Sequence, residues 1–176
     1  MNLLGRQEIV GLFEELSGEL GRRGSRAEIF LVGGAAIALA YDARRATRDI
    51  DAVFQPKDEV YLAAAAIAAR HDLPDDWLND AVKGFLPGHD PQARPVFESE
   101  ALRVDVASPR YLLAMKLLAA RDGDVEDIIS LYRLCGFTTV AEGLDLVDAA
   151  YPGRAIPARV QFLLEEFLGP AGTPGP

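Results

Sequence analysis

The stretch Ile29–Phe54, IFLVGGAAIALAYDARRATRDIDAVF, decides the fold. A hydrophobic strand runs into Gly33-Gly34, a short apolar helix follows, and a second strand delivers Asp49 and Asp51. Alternation along a strand sends side chains at i and i+2 to one face. The carboxylates of Asp49 and Asp51 therefore point together, while Ile50, Ala52 and Phe54 turn the other way into a core. Two carboxylates held side by side repel unless a cation or a shared proton offsets them. Magnesium suits such a pair, because it takes a few carboxylates and leaves positions for phosphate oxygens and water. The diglycine lets a phosphate approach the backbone, with the amides of a helix N-terminus aimed at it. These parts together imply a metal-dependent site for a nucleoside triphosphate.

The order of strand, Gly33-Gly34, helix and Asp49-Ile50-Asp51 resembles the DNA polymerase β-type nucleotidyltransferase superfamily. Val32-Gly33-Gly34-Ala35-Ala36 with Arg45-Ala46-Thr47-Arg48-Asp49-Ile50-Asp51 is most similar to the bacterial AbiEii-like nucleotidyltransferases, many of which sit in toxin–antitoxin or phage-defence systems. The gap between the diglycine and the first aspartate is longer here than in the minimal antitoxin-type members. The resemblance implies magnesium as cofactor and transfer of a nucleoside monophosphate from a nucleoside triphosphate to an acceptor hydroxyl. It also implies a third carboxylate on a later strand. Leu102-Arg103-Val104-Asp105-Val106 offers one: Arg103 and Asp105 share a face, and Pro95–Glu98 is a partner strand turning near Ser99-Glu100. Asp49, Asp51 and Asp105 are thus the expected catalytic and metal-binding residues, with Asp105 holding the catalytic ion. An ordinary half-buried strand with a solvated acid is the alternative for Asp105.

Nucleotide-binding candidates surround this core. Arg45 matches the arginine that often precedes Thr-x-Asp-x-Asp in the resembled family. Arg48 and Arg44 flank the same turn, and the Thr47 hydroxyl can orient the start of the strand. Ser108-Pro109 reads as an N-cap and first helical position of a helix over 109–121, and a further helix spans 125–134. The resemblance implies that Lys116 approaches the triphosphate and that Asp124 and Asp127 support it. The Lys or Arg that precedes the relatives' Asp-x-x-Asp is here Gly123. On physical grounds alone, Asp124 also suits a helix N-cap, Asp127 a first-turn acid, and Lys116 a snorkelling surface cation.

The rest of the chain frames that site. With 176 residues, 49% of them hydrophobic, it supports one well-packed α+β domain. We expect a small mixed-sheet nucleotidyltransferase core with flanking helices over residues 1–107, a helical subdomain over 108–168 and a flexible tail over 169–176, the acceptor lying between core and helices. Ile9, Leu12, Phe13, Leu16 and Leu20 mark one face of an N-terminal helix, which Glu8, Glu14 and Glu15 distinguish from a signal peptide. Leu62–Ala69 is too short for a membrane span and reads as a helix on the sheet. Val140, Leu144 and Val147 face inward on a helix over 139–150, and Val160, Phe162, Leu163, Leu164 and Phe167 on one over 157–168. A single cysteine, Cys135, points to a reducing, cytoplasmic setting. His71 and His89 stand apart as surface residues, and Trp77 is a helix anchor rather than a base-stacking platform.

The acceptor is less legible. A net charge of −9 disfavours general nucleic-acid binding, although Arg44, Arg45, Arg48, Lys83 and Arg94 could make a local basic patch. Transfer to tRNA or to a protein, in a toxin–antitoxin pairing with a cognate antitoxin or toxin, is the leading expectation. Modification of a cationic antibiotic of the aminoglycoside kind is the second. A non-catalytic nucleotidyltransferase-fold module that binds a toxin or antitoxin is the third. The Rossmann fingerprint fails for want of a third glycine at its spacing, no Gly-Lys-Ser/Thr follows the diglycine, and a serine-hydrolase elbow is absent.

Overall fold

The computed structural model describes residues 3–169, which hold five strands and seven α-helices. They form two compact units: one takes in the residues up to Gly84 together with Gln92–Ala107, the other Phe85–Pro91 and the residues from Ser108 on. No helix among the described residues is long and apolar enough to cross a membrane.

The first unit is built on a mixed sheet. Its strands are β1 (Ala27–Leu31), β2 (Ile50–Gln55), β3 (Leu78–Asn79), β4 (Arg94–Glu98) and β5 (Leu102–Val106), in the order β3-β2-β1-β5-β4. β1 runs antiparallel to β2 and parallel to β5; β3 runs parallel to β2, and β4 antiparallel to β5. Alternation works as the sequence predicts. Ala27, Ile29 and Leu31, Ile50, Ala52 and Phe54, and Leu102, Val104 and Val106 are buried on one face. Glu28, Phe30, Asp51, Val53, Gln55, Arg103 and Asp105 alternate with them and keep some exposure on the other. Helix α1 (Arg6–Arg22) buries Ile9, Leu12, Phe13, Leu16 and Leu20, the predicted stripe. Helix α2 (Gly33–Ala40) follows β1, and α3 (Lys57–His71) buries Val60, Ala63, Ala64, Ile67 and Ala68 against α1 and β2. Trp77 is fully buried, which removes it as a stacking platform. It lies in the turn before β3 rather than on a helix, and its indole N–H donates to the Ala64 carbonyl of α3 at 3.1 Å.

The second unit is helical: α4 (Pro109–Ala119), α5 (Val125–Cys135), α6 (Val140–Ala150) and α7 (Ala158–Leu168). Ser108 caps α4, its Oγ accepting from the Tyr111 amide at 3.3 Å, with Pro109 at the first position. α4 ends before the expected Arg121, because Ala120 turns left-handed (φ 41°) and its N–H closes on the Lys116 carbonyl at 2.7 Å. Phe85–Pro91 goes with these helices for a visible reason. Buried Asp90 accepts from the Ser108 amide at 2.7 Å and hydroxyl at 3.1 Å, and the Tyr111 hydroxyl donates to the Gly88 carbonyl at 2.9 Å.

Two helix faces differ from expectation. α6 buries Gly143 and Val147, leaving Val140 and Leu144 partly exposed, because Tyr132 and Leu164 press onto Gly143. α7 buries Val160 and Leu164, while Phe162 remains 67% exposed. Residues 170–176 of the expected tail lie outside the described residues.

Candidate functional site

The diglycine is where backbone and acid meet. Gly33 opens α2 with φ +65°, a conformation that a side chain strains. A Cβ there would sit 2.9 Å from Asp51 Oδ2 and 3.3 Å from Asp51 Cβ; one on Gly34 would sit 2.8 Å from Thr47 Oγ1 and 3.2 Å from Thr47 Cβ. Both glycines are therefore required by close approach, one to the acid and one to the threonine. Thr47 is itself held by an antiparallel bridge to Leu4, with amide–carbonyl bonds of 2.7 and 3.0 Å. The Val32 amide donates to the Asp51 carbonyl at 3.0 Å, so the end of β1 and the start of β2 are locked in register. The first amides of α2 (Gly33, Gly34, Ala35) have no partner within the helix, and Gly33 itself packs against the Asp51 side chain. Gly33, Gly34, Thr47 and Asp51 are thus assembled as one cradle.

Asp49 stands just outside the strand. The chain bends at Arg48 and Asp49, and regular pairing begins only at Ile50, whose amide donates to the Trp77 carbonyl at 2.7 Å. Asp49 is exposed and makes no hydrogen bond or ion pair among the described residues. Arg48 is exposed beside it, Arg45 is half-buried, and Arg44 is spent on Asp42 at 3.0 Å. That guanidinium holds the Asp42 carboxyl below the usual range.

Asp105 lies on the same sheet face but is not brought beside the pair. It is level with Phe30 and, across β1, with Val53. β1 therefore runs between it and Asp51, about 10 Å sideways at two strand spacings. Its carboxylate accepts a two-pronged bond from Arg103, Nε at 2.9 Å and NH2 at 3.0 Å, and this pairing raises the arginine's pKa. Among the described residues no three or more His, Cys, Asp or Glu side chains converge as a metal cage.

In the second unit, Lys116, Asp124 and Asp127 form a cluster of their own. The ammonium lies 2.5 Å from Asp124 Oδ1 and 2.9 Å from Asp127 Oδ2, all three side chains being largely buried. Lys116 is therefore no snorkelling surface cation. Asp124 occupies the N-cap of α5 but makes no capping bond there, since it is turned toward the lysine. Sequence reasoning missed Asn79, which is level with Asp51 on β3, and Asp90, which fixes the start of α4. A two-residue strand carries no periodicity, so Asn79 left no signal beyond its nearness to Trp77.

Residues 7–142 match the family described as "Nucleotidyltransferase of unknown function (DUF6036)". The chain belongs to this family. The match takes in the cradle, Asp49, Asp105 and the Lys116 cluster of this nucleotidyltransferase-family chain. No curated protein matches the sequence. A similar solved structure is an antigenic nucleotidyltransferase-like protein from Paracoccidioides brasiliensis, 16% identical, covering 76% of this chain and 79% of that one at a TM-score of 0.39.

Proposed function

We propose that the chain is a magnesium-dependent nucleotidyltransferase that moves a nucleoside monophosphate from a nucleoside triphosphate to an acceptor hydroxyl. The observation that carries this reading is the contact geometry at Gly33, where the turn that opens α2 leaves no room between its backbone and the Asp51 carboxylate. Amides suited to phosphate oxygens and an acid suited to a hard cation are thereby adjacent. The donor set fits magnesium in its usual nucleotide mode, in which one or two carboxylates hold the ion and phosphates and water complete the shell. Asp49 and Asp51 would hold it, and when bound it supplies charge neutralisation on the triphosphate.

The chain's own residues do the rest. Gly33, Gly34 and Thr47 seat the triphosphate against the α2 amides, and Arg45 and Arg48 balance its charge. An acceptor hydroxyl oxygen attacks the α-phosphorus, the bond from that phosphorus to the bridging oxygen breaks, and pyrophosphate leaves. Asp105, across β1 on the same face, takes the hydroxyl proton once Arg103 exchanges it for the incoming substrate. Lys116, Asp124 and Asp127 remain a paired cluster of the helical unit. We further propose a toxin–antitoxin setting with tRNA or a protein as acceptor. The net charge of −9 favours a second reading, a cationic acceptor of the aminoglycoside kind.

Calorimetric titration of ATP, GTP, CTP and UTP, with and without magnesium, tests the site on the wild type and on Asp49→Ala/Asp51→Ala. Magnesium-dependent binding that disappears in the double variant is expected. Binding that survives both substitutions overturns the assignment. Transfer of α-labelled nucleotide to tRNA, partner protein or aminoglycoside then separates the acceptors.

A further inference from the structure

Asp51 has two neighbours in the sheet. On the β1 side lies the backbone of Val32, whose amide takes the Asp51 carbonyl; on the other side lies Asn79, its register partner on parallel β3. Register partners in parallel strands send side chains to the same face, about 4.8 Å apart. Asn79 therefore stands beside Asp51 on the face that carries the acids, much nearer than Asp105.

The segment around Asn79 is fixed on both sides. Before it, Trp77 and Leu78 are buried, and the Trp77 carbonyl holds the Ile50 amide at 2.7 Å. After it, Asp80 accepts from the Tyr61 hydroxyl at 2.6 Å and pairs with Lys57 at 2.6 Å, and the Tyr61 ring meets Phe54 edge-on at 5.1 Å. The Asn79 side chain is only partly committed. Its Oδ1 accepts from the Ala81 amide at 3.1 Å, while its Nδ2 reaches the Asp76 carbonyl at a long 3.4 Å. An amide NH2 has two N–H groups to give. Only one of them is engaged, and neither bonds to Asp51 in this structure.

We infer that Asn79 is a positioning residue of the nucleotide site: when the magnesium–triphosphate binds, its amide N–H turns to the neighbouring Asp51 carboxylate and holds the orientation that receives the ion. This rests on the nucleotide reading above. Groups that orient metal-binding carboxylates typically change metal affinity 10- to 100-fold when removed.

Three variants test it by calorimetry with magnesium and each nucleoside triphosphate. Asn79→Ser keeps an oxygen acceptor for the Ala81 amide and so supports the turn, but is too short to reach Asp51 and adds no charge beside it. Asn79→Ala removes both functions, and Asp51→Ala is the control for the site itself. We expect Asn79→Ser and Asn79→Ala to bind about tenfold more weakly with magnesium present. Affinity without magnesium should stay unchanged, and Asn79→Ser should melt closer to the wild-type temperature than Asn79→Ala. Wild-type affinity in both Asn79 variants, with binding lost in Asp51→Ala, overturns the role of Asn79 and leaves the nucleotide site standing. Wild-type affinity in Asp51→Ala as well overturns the nucleotide reading, and this inference with it.

Discussion

Gly33→Ala tests the central contact of the proposed site without touching an acid. Two costs add at that position. Holding an alanine at φ +65° costs about 1–2 kcal/mol. The new methyl also arrives 2.9 Å from Asp51 Oδ2, well inside van der Waals contact, and overpacking of that order costs about 1–3 kcal/mol. The single substitution should therefore destabilise the sheet unit by about 3 kcal/mol, and lower a melting temperature by roughly 6–12 °C.

The two parts separate in a double-mutant cycle. Asp51→Ala removes the carboxylate that the methyl would strike and leaves its own Cβ, which at 3.3 Å can yield by a few tenths of an ångström. In that background Gly33→Ala should cost only the backbone term, about 1–2 kcal/mol, which leaves a coupling energy of about 1–2 kcal/mol. Urea unfolding followed by tryptophan fluorescence reads the right unit, because the chain's single tryptophan, Trp77, is buried in the sheet unit. Additivity within about 0.5 kcal/mol would refute the contact, and with it the reason for a glycine here beyond its φ.

Gly143→Ala in α6 should destabilise the helical unit even though alanine is the better helix former by about 1 kcal/mol. The added methyl would meet the Tyr132 hydroxyl and, at 2.8 Å, Leu164 Cδ1, so packing wins by about 1–2 kcal/mol; Tyr132→Phe should relieve part of it, and a rise in helical melting temperature for the single variant would sink the packing argument. Asp80 gives a pH dependence of known sign: the Lys57 ammonium, then the Tyr61 hydroxyl, hold its carboxyl below the usual range. A lowered folded-state pKa adds stability above the unfolded value near pH 4 and loses it as pH falls through the folded value. Asp80→Asn should thus be about 1 kcal/mol or less weaker near neutrality and converge with the wild type in acid; parallel urea midpoints across the whole range would contradict this.

The parts of the fold that follow from local patterns were legible in the sequence. A hydrophobic run before the diglycine placed β1, period-two alternation placed β2 and β5 and sorted Ile50, Ala52 and Phe54 from Asp51, and helical periodicity found the α1 stripe. Ser108-Pro109 gave a true helix start, and of the two adjacent threonines that could cap the next-but-one helix, Thr138 and Thr139, it is Thr139 that does. Information that depends on which strand lies beside which was not legible. Alternation puts Arg103 and Asp105 on one face, but nothing along β5 says that β1 separates Asp105 from Asp51. Likewise, Gly143 is invisible to hydrophobic periodicity, yet it is the seam of α6 because an aromatic hydroxyl from another helix fills the space its missing side chain leaves.

Charge accounting around the sheet points the same way as geometry. The chain has 27 acids against 18 bases, yet several acids of this unit have a private cation: Asp105 has Arg103, Asp80 has Lys57, and Asp42 has Arg44. Asp49 has none among the described residues and is exposed to solvent two positions before Asp51. A solvated acid contributes little to folding, so removing its carboxylate leaves the fold nearly untouched. Its available valence is matched by a ligand cation that arrives with a triphosphate. Asp49→Ala can therefore report on nucleotide binding with little interference from folding, whereas Asp51, wedged against Gly33 and level with Asn79, couples the two.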